Sequence, residues 1–111
     1  MQEEIIISIE DYNQFVKDNL LAVVYFSTPL CGVCKVIKPK IFEMLKEEFP
    51  ETKFGYVDAS AHKEIASQQS IFTVPTILFF AEGKEFLRES RNIDLSKAHS
   101  TLLRIYSLIF N

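Results

Sequence analysis

The sequence contains few residues that can cross-link the chain or interrupt its helices and strands. Among 111 residues there are two cysteines, three glycines and four prolines. A domain of this length can bury roughly 65% of its extended surface, so it needs no disulfide framework to fold. Internal repeats, low-complexity tracts and Gly- or Ser-rich linkers are also absent. We therefore expect residues 1–111 to form one domain.

Long apolar runs and an excess of basic charge are absent too. The longest uncharged apolar stretches, LLAVVYF and TVPTILFFA, fall far short of the ~20 residues that a membrane span needs. The net charge is −3 and the 12 basic residues are dispersed, so the sequence lacks the basic face that is typical of proteins that bind nucleic acid. The opening residues, MQEEIIISIEDY, lack the basic and apolar regions of a secretory signal. We expect a cytoplasmic protein that binds neither membranes nor nucleic acids.

The sequence does have the apolar content of a packed core, with 48% hydrophobic residues and ten phenylalanines. Residues 20–26 are continuously apolar and rich in β-branched side chains, as in a central strand buried on both faces. The pattern predicts strands at 4–9, 20–26, 53–59, 75–81 and 84–90, and helices at 10–19, 31–49, 61–70 and 94–110. An α/β fold is expected, with a mixed sheet of four to five strands flanked by about four helices.

Both cysteines, Cys31 and Cys34, lie where a predicted strand passes into a predicted helix. The first helical turn has unpaired N–H groups and the positive end of the helix dipole, which lower the pKa of a thiol at Cys31 and make it nucleophilic. Cys34 lies three residues further, on the same face, with its sulfur directed into the protein. Cys31 could therefore attack a disulfide, and Cys34 could resolve the mixed disulfide that forms.

Three other roles for the cysteine pair remain open: a metal clamp, a structural disulfide and two unreactive thiols. A structural zinc ion usually has four ligands, and the two histidines, His62 and His99, lie on separate predicted helices. Structural disulfides are rare in the cytosol. Redox exchange is the favoured interpretation, and we expect no metal site.

Further positions extend the pattern beyond the cysteine pair. They are Lys35, Pro39, Asp58, Val74, Pro75, Thr76 and Gly83. With them the chain resembles the thioredoxin family from residue 5 to about residue 110. The resemblance implies the thioredoxin fold and a thiol–disulfide oxidoreductase, in which Cys31 attacks a disulfide-containing protein substrate and Cys34 resolves the product. It also implies that no cofactor is bound, and that an NADPH-dependent flavoprotein similar to thioredoxin reductase supplies the electrons. The chain is expected to be a monomer.

The resemblance also implies where substrates dock. Pro75 is expected to be cis and to face the cysteine pair, which further disfavours metal binding there. The Val74 backbone would then hydrogen-bond to an extended substrate segment by β-augmentation. The other motif and docking residues are Leu30, Gly32, Val33, Lys35 and Thr76.

Several positions depart from the family pattern, whose motif is usually Trp-Cys-Gly-Pro-Cys. Leu30 and Val33 replace the tryptophan and the proline, and loss of this proline is expected to make the couple more oxidising. The family's buried Asp–Lys pair is replaced by Tyr25 and Phe54. Loss of both charges avoids stranding one of them in the core. Tyr25 could hydrogen-bond near Cys34, but with an ordinary pKa near 10 it would be a poor base for this thiol at neutral pH.

Two surface features also depart from the family. Arg91 and Asn92 occupy a loop that has a glycine in the family, so they are expected to project near the site and modulate substrate choice. Leu103, Leu108 and Phe110 lie off the apolar stripe of the last helix, which indicates either an exposed patch or a helix buried on a broad face, the latter being the favoured interpretation. The departures leave two alternatives: a redox-gated protein-binding module with little turnover, and a more oxidising protein similar to disulfide isomerases.

Overall fold

Strands and helices alternate along most of the chain before it ends in a hairpin and a long helix. The computed structural model describes residues 1–110, and within them the chain forms five strands and four helices. In order they are β1 (Glu3–Ile5), α1 (Ile9–Asp18), β2 (Leu21–Ser27), α2 (Gly32–Glu48), β3 (Lys53–Asp58), α3 (Lys63–Gln68), β4 (Thr76–Ala81), β5 (Lys84–Ser90) and α4 (Leu95–Phe110). This is the predicted element order.

The first strand is shorter than the predicted range of 4–9, because the helix that follows begins early. Ser8 is the N-cap of α1, and its hydroxyl oxygen accepts the Asp11 N–H at 3.0 Å. The last main-chain bond of this segment to the sheet runs from the Ile6 N–H to the Tyr56 carbonyl, at 2.9 Å. A side-chain cap thus replaces sheet pairing from Ser8 onward.

The strands form one mixed sheet in the order β1-β3-β2-β4-β5. β1, β3 and β2 run parallel, whereas β4 is antiparallel to β2 and β5 is antiparallel to β4. The β4–β5 turn has positive φ at Glu82 (51°) and Gly83 (82°), the two residues between the predicted strands 75–81 and 84–90, as in a tight hairpin turn. The prediction of a thioredoxin fold with a mixed sheet is confirmed.

The central strand β2 is buried along its whole length and separates two apolar layers. On one face, Leu21, Val23 and Tyr25 pack against residues of α2 and α4. On the other face, Ala22, Val24 and Phe26 pack against residues of α1 and α3. The sheet is therefore the middle of three layers, and the two cysteines begin the helix over the Tyr25 face.

The last helix divides the three residues that lie off its apolar stripe. Leu103 and Leu108 are exposed, so the expected broad buried face was wrong at these two positions. Phe110 is half-buried, because its ring packs on Tyr106 with centroids 4.7 Å apart and also contacts the core. Among residues 1–110, the helices are too short or too polar to cross a membrane.

Candidate functional site

The cysteine pair lies at the start of α2, just beyond the end of β2. Cys31 is the N-cap of the helix, and its Sγ accepts the N–H of Cys34 at 3.1 Å. The two sulfurs form a disulfide, with the Cα atoms 5.3 Å apart. A sulfur that accepts a first-turn N–H is also placed where a negative charge is stabilised by the helix terminus. The N-cap position thus favours the thiolate form of Cys31.

The two sulfur-bearing residues differ in their access to solvent. The Cys34 side chain is buried, with its residue 2% exposed, and belongs to the core cluster between the sheet and the helices α2 and α4. Cys31 is only half-buried and packs against the margin of this cluster. An incoming disulfide can therefore reach Cys31 more easily than Cys34.

Beneath Cys34 lies the hydroxyl of Tyr25, which comes from the fully buried strand β2. This hydroxyl donates to the Cys34 carbonyl oxygen at 2.9 Å. Burial, with a smaller contribution from Tyr56, raises the pKa of Tyr25 to about 12. Tyr25 therefore keeps its proton at neutral pH and holds the first turn of α2 as a hydrogen-bond donor rather than serving as a base.

Phe54, which stands at the other position of the family's buried Asp–Lys pair, also belongs to the apolar core. The ring of Phe54 is fully buried on β3, with its centroid 6.2 Å from that of Tyr25. Within residues 1–110 the one buried carboxylate is Glu89, which accepts the Asp94 N–H at 2.8 Å and lies near Lys97. Its carboxylate thus anchors the segment that leads into α4.

The Val74–Pro75 peptide bond is cis, and Pro75 is buried where β4 begins. Thr76 pairs with Phe26 on β2 and Ser90 on β5, and its hydroxyl donates to the Thr73 carbonyl at 2.7 Å. Val74 packs against the same core cluster as Cys31. The segment before β4 and the cysteine turn after β2 therefore lie at the same end of the sheet.

Exposed apolar side chains lie on the cysteine turn, at the start of α2 and on the segment before β4. We call Leu30, Val33, Val36 and Phe72 the apolar rim; all four are exposed, Leu30 to 96% and Phe72 to 89%. Gly32 and Lys35, also predicted as motif residues, are exposed as well. Exposed apolar groups gathered beside a reactive residue are typical of an interaction surface.

Phe72 was not among the residues predicted for the site. A sequence signal was available, because a phenylalanine stands three residues before Pro75 and outside every predicted strand and helix. Beside it, a groove of about 350 Å³ opens between α3 and the segment before β4. The residues lining this α3 groove are Ala59, Lys63, Ala66, Ser67, Ile71, Phe72, Thr73 and Val74.

Arg91 and Asn92 follow β5 at the same end of the sheet, because Ser90 pairs with Thr76. Both residues are exposed, and Arg91 adopts a positive φ of 63°. A positive φ favours glycine, so the arginine side chain replaces the residue type that this backbone most easily accepts. Their predicted effect on substrate choice stays a prediction.

Neither histidine joins the cysteines. His62 lies near Glu64 at the start of α3, and His99 on α4 pairs with Glu48 at 2.8 Å. These helices pack on opposite faces of the sheet. In the described part of the chain, no three His, Cys, Asp or Glu side chains form a cluster that could hold a metal ion.

Comparison with known proteins agrees with this geometry. A sequence model of the family described as Thioredoxin matches residues 3–103. The thioredoxin-like protein YdfQ of Bacillus subtilis (strain 168) is 36% identical over 103 residues, which cover 93% of this chain and 88% of YdfQ. The thioredoxin of Geodia cydonium is 40% identical over 76 residues, which cover 67% of this chain and 71% of that protein.

Solved structures show the same relationship. The X-ray structure of Fasciola hepatica thioredoxin superimposes with a TM-score of 0.81 at 31% identity, covering 92% of this chain and 98% of that one. The crystal structure of thioredoxin from Trypanosoma brucei brucei gives a TM-score of 0.83 at 26% identity, over 96% and 92% of the two chains. The chain with the Cys31–Cys34 pair belongs to the thioredoxin family.

Proposed function

We propose that the protein is a cytosolic thiol–disulfide oxidoreductase that reduces disulfides in other proteins. One observation supports this most strongly: the sulfurs of Cys31 and Cys34 lie on one helical turn but differ in their exposure to solvent. Cys31 is at the helix N-terminus and accessible, whereas Cys34 is buried behind it. This arrangement suits a nucleophile with its own resolving thiol.

In the proposed reaction the reduced protein transfers two electrons. The Cys31 thiolate attacks one sulfur of the substrate disulfide and displaces the other as a thiolate, which takes a proton from solvent. The Cys34 thiol gives up its proton to water, and its sulfur then attacks Cys31 Sγ. This second step forms the Cys31–Cys34 disulfide and releases the second substrate thiol. The substrate disulfide is reduced and the protein is oxidised by the same two electrons.

Return to the dithiol requires an external reductant. We assign this role to an NADPH-dependent flavoprotein similar to thioredoxin reductase, with no cofactor bound to the chain itself. In this function residues 1–111 act as one domain and as a monomer. The protein works in the cytosol, where thiols are maintained in the reduced state.

The apolar rim supports the choice of proteins as substrates. Unfolded or extended segments present apolar side chains that Leu30 and Val33 could cover, and the Val74 backbone, at the same end of the sheet, is available for strand-like pairing. Small disulfides would gain little from this surface.

A second candidate function, a redox-gated binding module with little turnover, is favoured by the surroundings of Cys34. Within residues 1–110 no carboxylate other than Glu89 is buried, and Tyr25 retains its proton. Without a base beside Cys34, resolution of the mixed disulfide would be slow and the partner would be retained. The more oxidising, isomerase-like alternative depends on the potential of the couple.

One experiment separates these functions. The reduced protein is mixed with a disulfide-containing protein, and thiols are trapped over time and analysed by mass spectrometry. The proposed function predicts release of two substrate thiols per Cys31–Cys34 disulfide formed. Cys34→Ser should accumulate the mixed disulfide, whereas the matched variant Cys31→Ser should form none. Partner retention by a variant lacking both cysteines would instead favour the binding module.

The direction of electron flow needs a second measurement. The couple is titrated against glutathione and dithiothreitol buffers and read by thiol trapping. A potential at or below the glutathione poise of the cytosol, roughly −220 to −320 mV depending on the method, supports a reductase. A potential near about −180 mV would favour the isomerase-like alternative. Failure to form an intramolecular disulfide at any poise would overturn the proposed reaction.

A further inference from the structure

The α3 groove lies at the same end of the sheet as the cysteine pair but contributes nothing to the exchange steps themselves. Its volume of about 350 Å³ is at the lower end of the range of about 300–1,000 Å³ found for ligand pockets. Ala59, one of its lining residues, is tied to the end of β2 by its N–H, which donates to the Ser27 carbonyl at 2.8 Å. Val74, another lining residue, adjoins the cis Pro75. The groove therefore lies at the end of the sheet where Cys31 follows β2.

The lining of the groove is mostly apolar. Ala66, Ile71 and Val74 form its inner surface, and the Phe72 ring stands at its margin with 89% exposure. An exposed aromatic ring beside a shallow apolar groove offers a surface that a partner's apolar side chain can cover. The size and the lining fit one side chain of an extended polypeptide better than a folded surface.

Lys63 is the one charged residue in this lining. Across residues 1–110, its ammonium forms no ion pair, and the nearby Glu64 lies against His62 instead. The carboxylate of Asp58, at the end of β3, accepts hydrogen bonds from Ser60 and Ala61, which hold its pKa below its ordinary value. The Lys63 charge thus remains available to a ligand with a negative group.

We infer that the α3 groove selects substrates whose reactive cysteine is flanked by an apolar residue, which packs on Phe72 in the groove, and an acidic residue, which pairs with Lys63. The inference rests on the proposed function and specifies which protein disulfides the site would prefer. The Val74 backbone aligns the substrate segment, and the groove binds the side chains that flank the reactive cysteine of the substrate. Phe72 and Lys63 act as specificity-determining residues, not as catalytic ones.

The test uses symmetric disulfides of short peptides in which each cysteine is flanked by Leu and Glu, Leu and Lys, Ser and Glu, or Ser and Lys. Bis(2-hydroxyethyl) disulfide, which has no side chain for the groove, serves as the reference substrate. Single-turnover rates of the reduced protein are measured by thiol trapping. We expect Leu peptides to react about tenfold faster than Ser peptides. Glu peptides should react about threefold faster than Lys peptides.

Two variants test the assignment of each residue. Phe72→Ser should remove the preference for Leu, and Lys63→Glu should reverse the preference between Glu and Lys. Because the reference disulfide has no side chain for the groove, both variants should change its rate much less than they change the rates of the peptides. Leu108→Ser on α4 is the matched control, because Leu108 is an equally apolar residue, 75% exposed, outside the groove. It should change none of the preferences.

The outcomes distinguish the inference from the proposed function. Equal rates for the four peptides, or variants that slow the reference disulfide by the same factor as the peptides, would overturn the inference and leave the reductase intact. A wild-type protein that reduces neither the peptides nor the reference disulfide would overturn the proposed function, and the inference with it.

Discussion

The two cysteines are separated by two residues and lie in opposite environments. Cys31 is at the helix N-terminus among exposed side chains such as Leu30 and Val33, and its sulfur accepts a main-chain N–H. Cys34 is in the core, above the Tyr25 hydroxyl that binds its carbonyl. The two cysteines therefore differ in reactivity because one faces solvent and the other faces the core.

The difference extends to the groups around each sulfur. On the Cys31 side, charged side chains such as that of Lys35 are exposed to water. On the Cys34 side lie the buried aromatic rings of Tyr25 and Phe54. Burial disfavours an ionised group, and a helix N-terminus favours an anion. Access to solvent and local charge, rather than the Cys-x-x-Cys spacing alone, therefore divide the roles of attack and resolution between the two cysteines.

The largest expected effect comes from placing a charge on the Cys34 side. Tyr25→Asp should lower the free energy of unfolding by about 3–5 kcal/mol, because the carboxylate would be buried without a partner. The matched control on the Cys31 side is Val33→Asp, at a residue 58% exposed. It should change stability by less than about 0.5 kcal/mol. Denaturant unfolding near neutral pH measures both.

The double variant Tyr25→Asp with Phe54→Lys sharpens this test. The two rings are in contact range, so the introduced charges can pair and part of the lost stability should return. If Tyr25→Asp and Val33→Asp cost the same, the two sides of the helical turn do not differ in polarity as described.

Alkaline pH should also act on the Cys34 side. In the unfolded chain Tyr25 ionises near its ordinary pKa of about 10, but in the folded protein burial raises this pKa to about 12. Its contribution to stability is therefore fully present below about pH 10 and is lost as the pH rises toward 12. The expected slope is about −1.4 kcal/mol per pH unit for this residue.

Tyr12 adds to this alkaline loss, because its burial also raises the pKa of its phenol. Comparison of wild type with Tyr25→Phe isolates the contribution of Tyr25. Unfolding free energies measured between about pH 9 and 11.5 should fall less steeply in the variant. Parallel curves for the two proteins would contradict the raised pKa of Tyr25.

The smallest expected effect is the loss of one hydrogen bond at neutral pH. Tyr25→Phe removes the donor to the Cys34 carbonyl, so stability should fall by about 1 kcal/mol. The first turn of α2 is then held less firmly, and the reduced Cys34 thiol should be alkylated faster than in wild type. A variant as stable as wild type, with unchanged alkylation of Cys34, would show that this bond does not position the resolving cysteine.

Much of the fold could be predicted because its signals are local. The apolar run of β2 and the two-residue connection between β4 and β5 each depend on a few neighbouring residues. The Cys31–Cys34 pair was predicted for the same reason, since a strand, a tight turn and a helix follow directly in the chain. The element order then left few alternatives for the sheet.

Features that depend on distant segments could not be predicted in the same way. The α3 groove exists because α3 approaches the segment before β4, and neither segment alone indicates it. The hydrogen bond from Tyr25 to Cys34 joins β2 to α2, and only the family resemblance indicated that Tyr25 would lie near Cys34. Helical periodicity placed Phe110 off the main apolar stripe, but the ring packs on Tyr106 one turn earlier and contacts the core.

The division of roles between the two cysteines can be tested most directly by alkylation of the reduced protein. A small excess of iodoacetamide is added near pH 7, and peptide mass spectrometry follows modification at each cysteine over time. The structure predicts that Cys31 is modified first and that Cys34 reacts at least about tenfold more slowly, because its thiol is buried and lacks the helix N-terminal position. Equal rates, or modification of Cys34 before Cys31, would contradict the account.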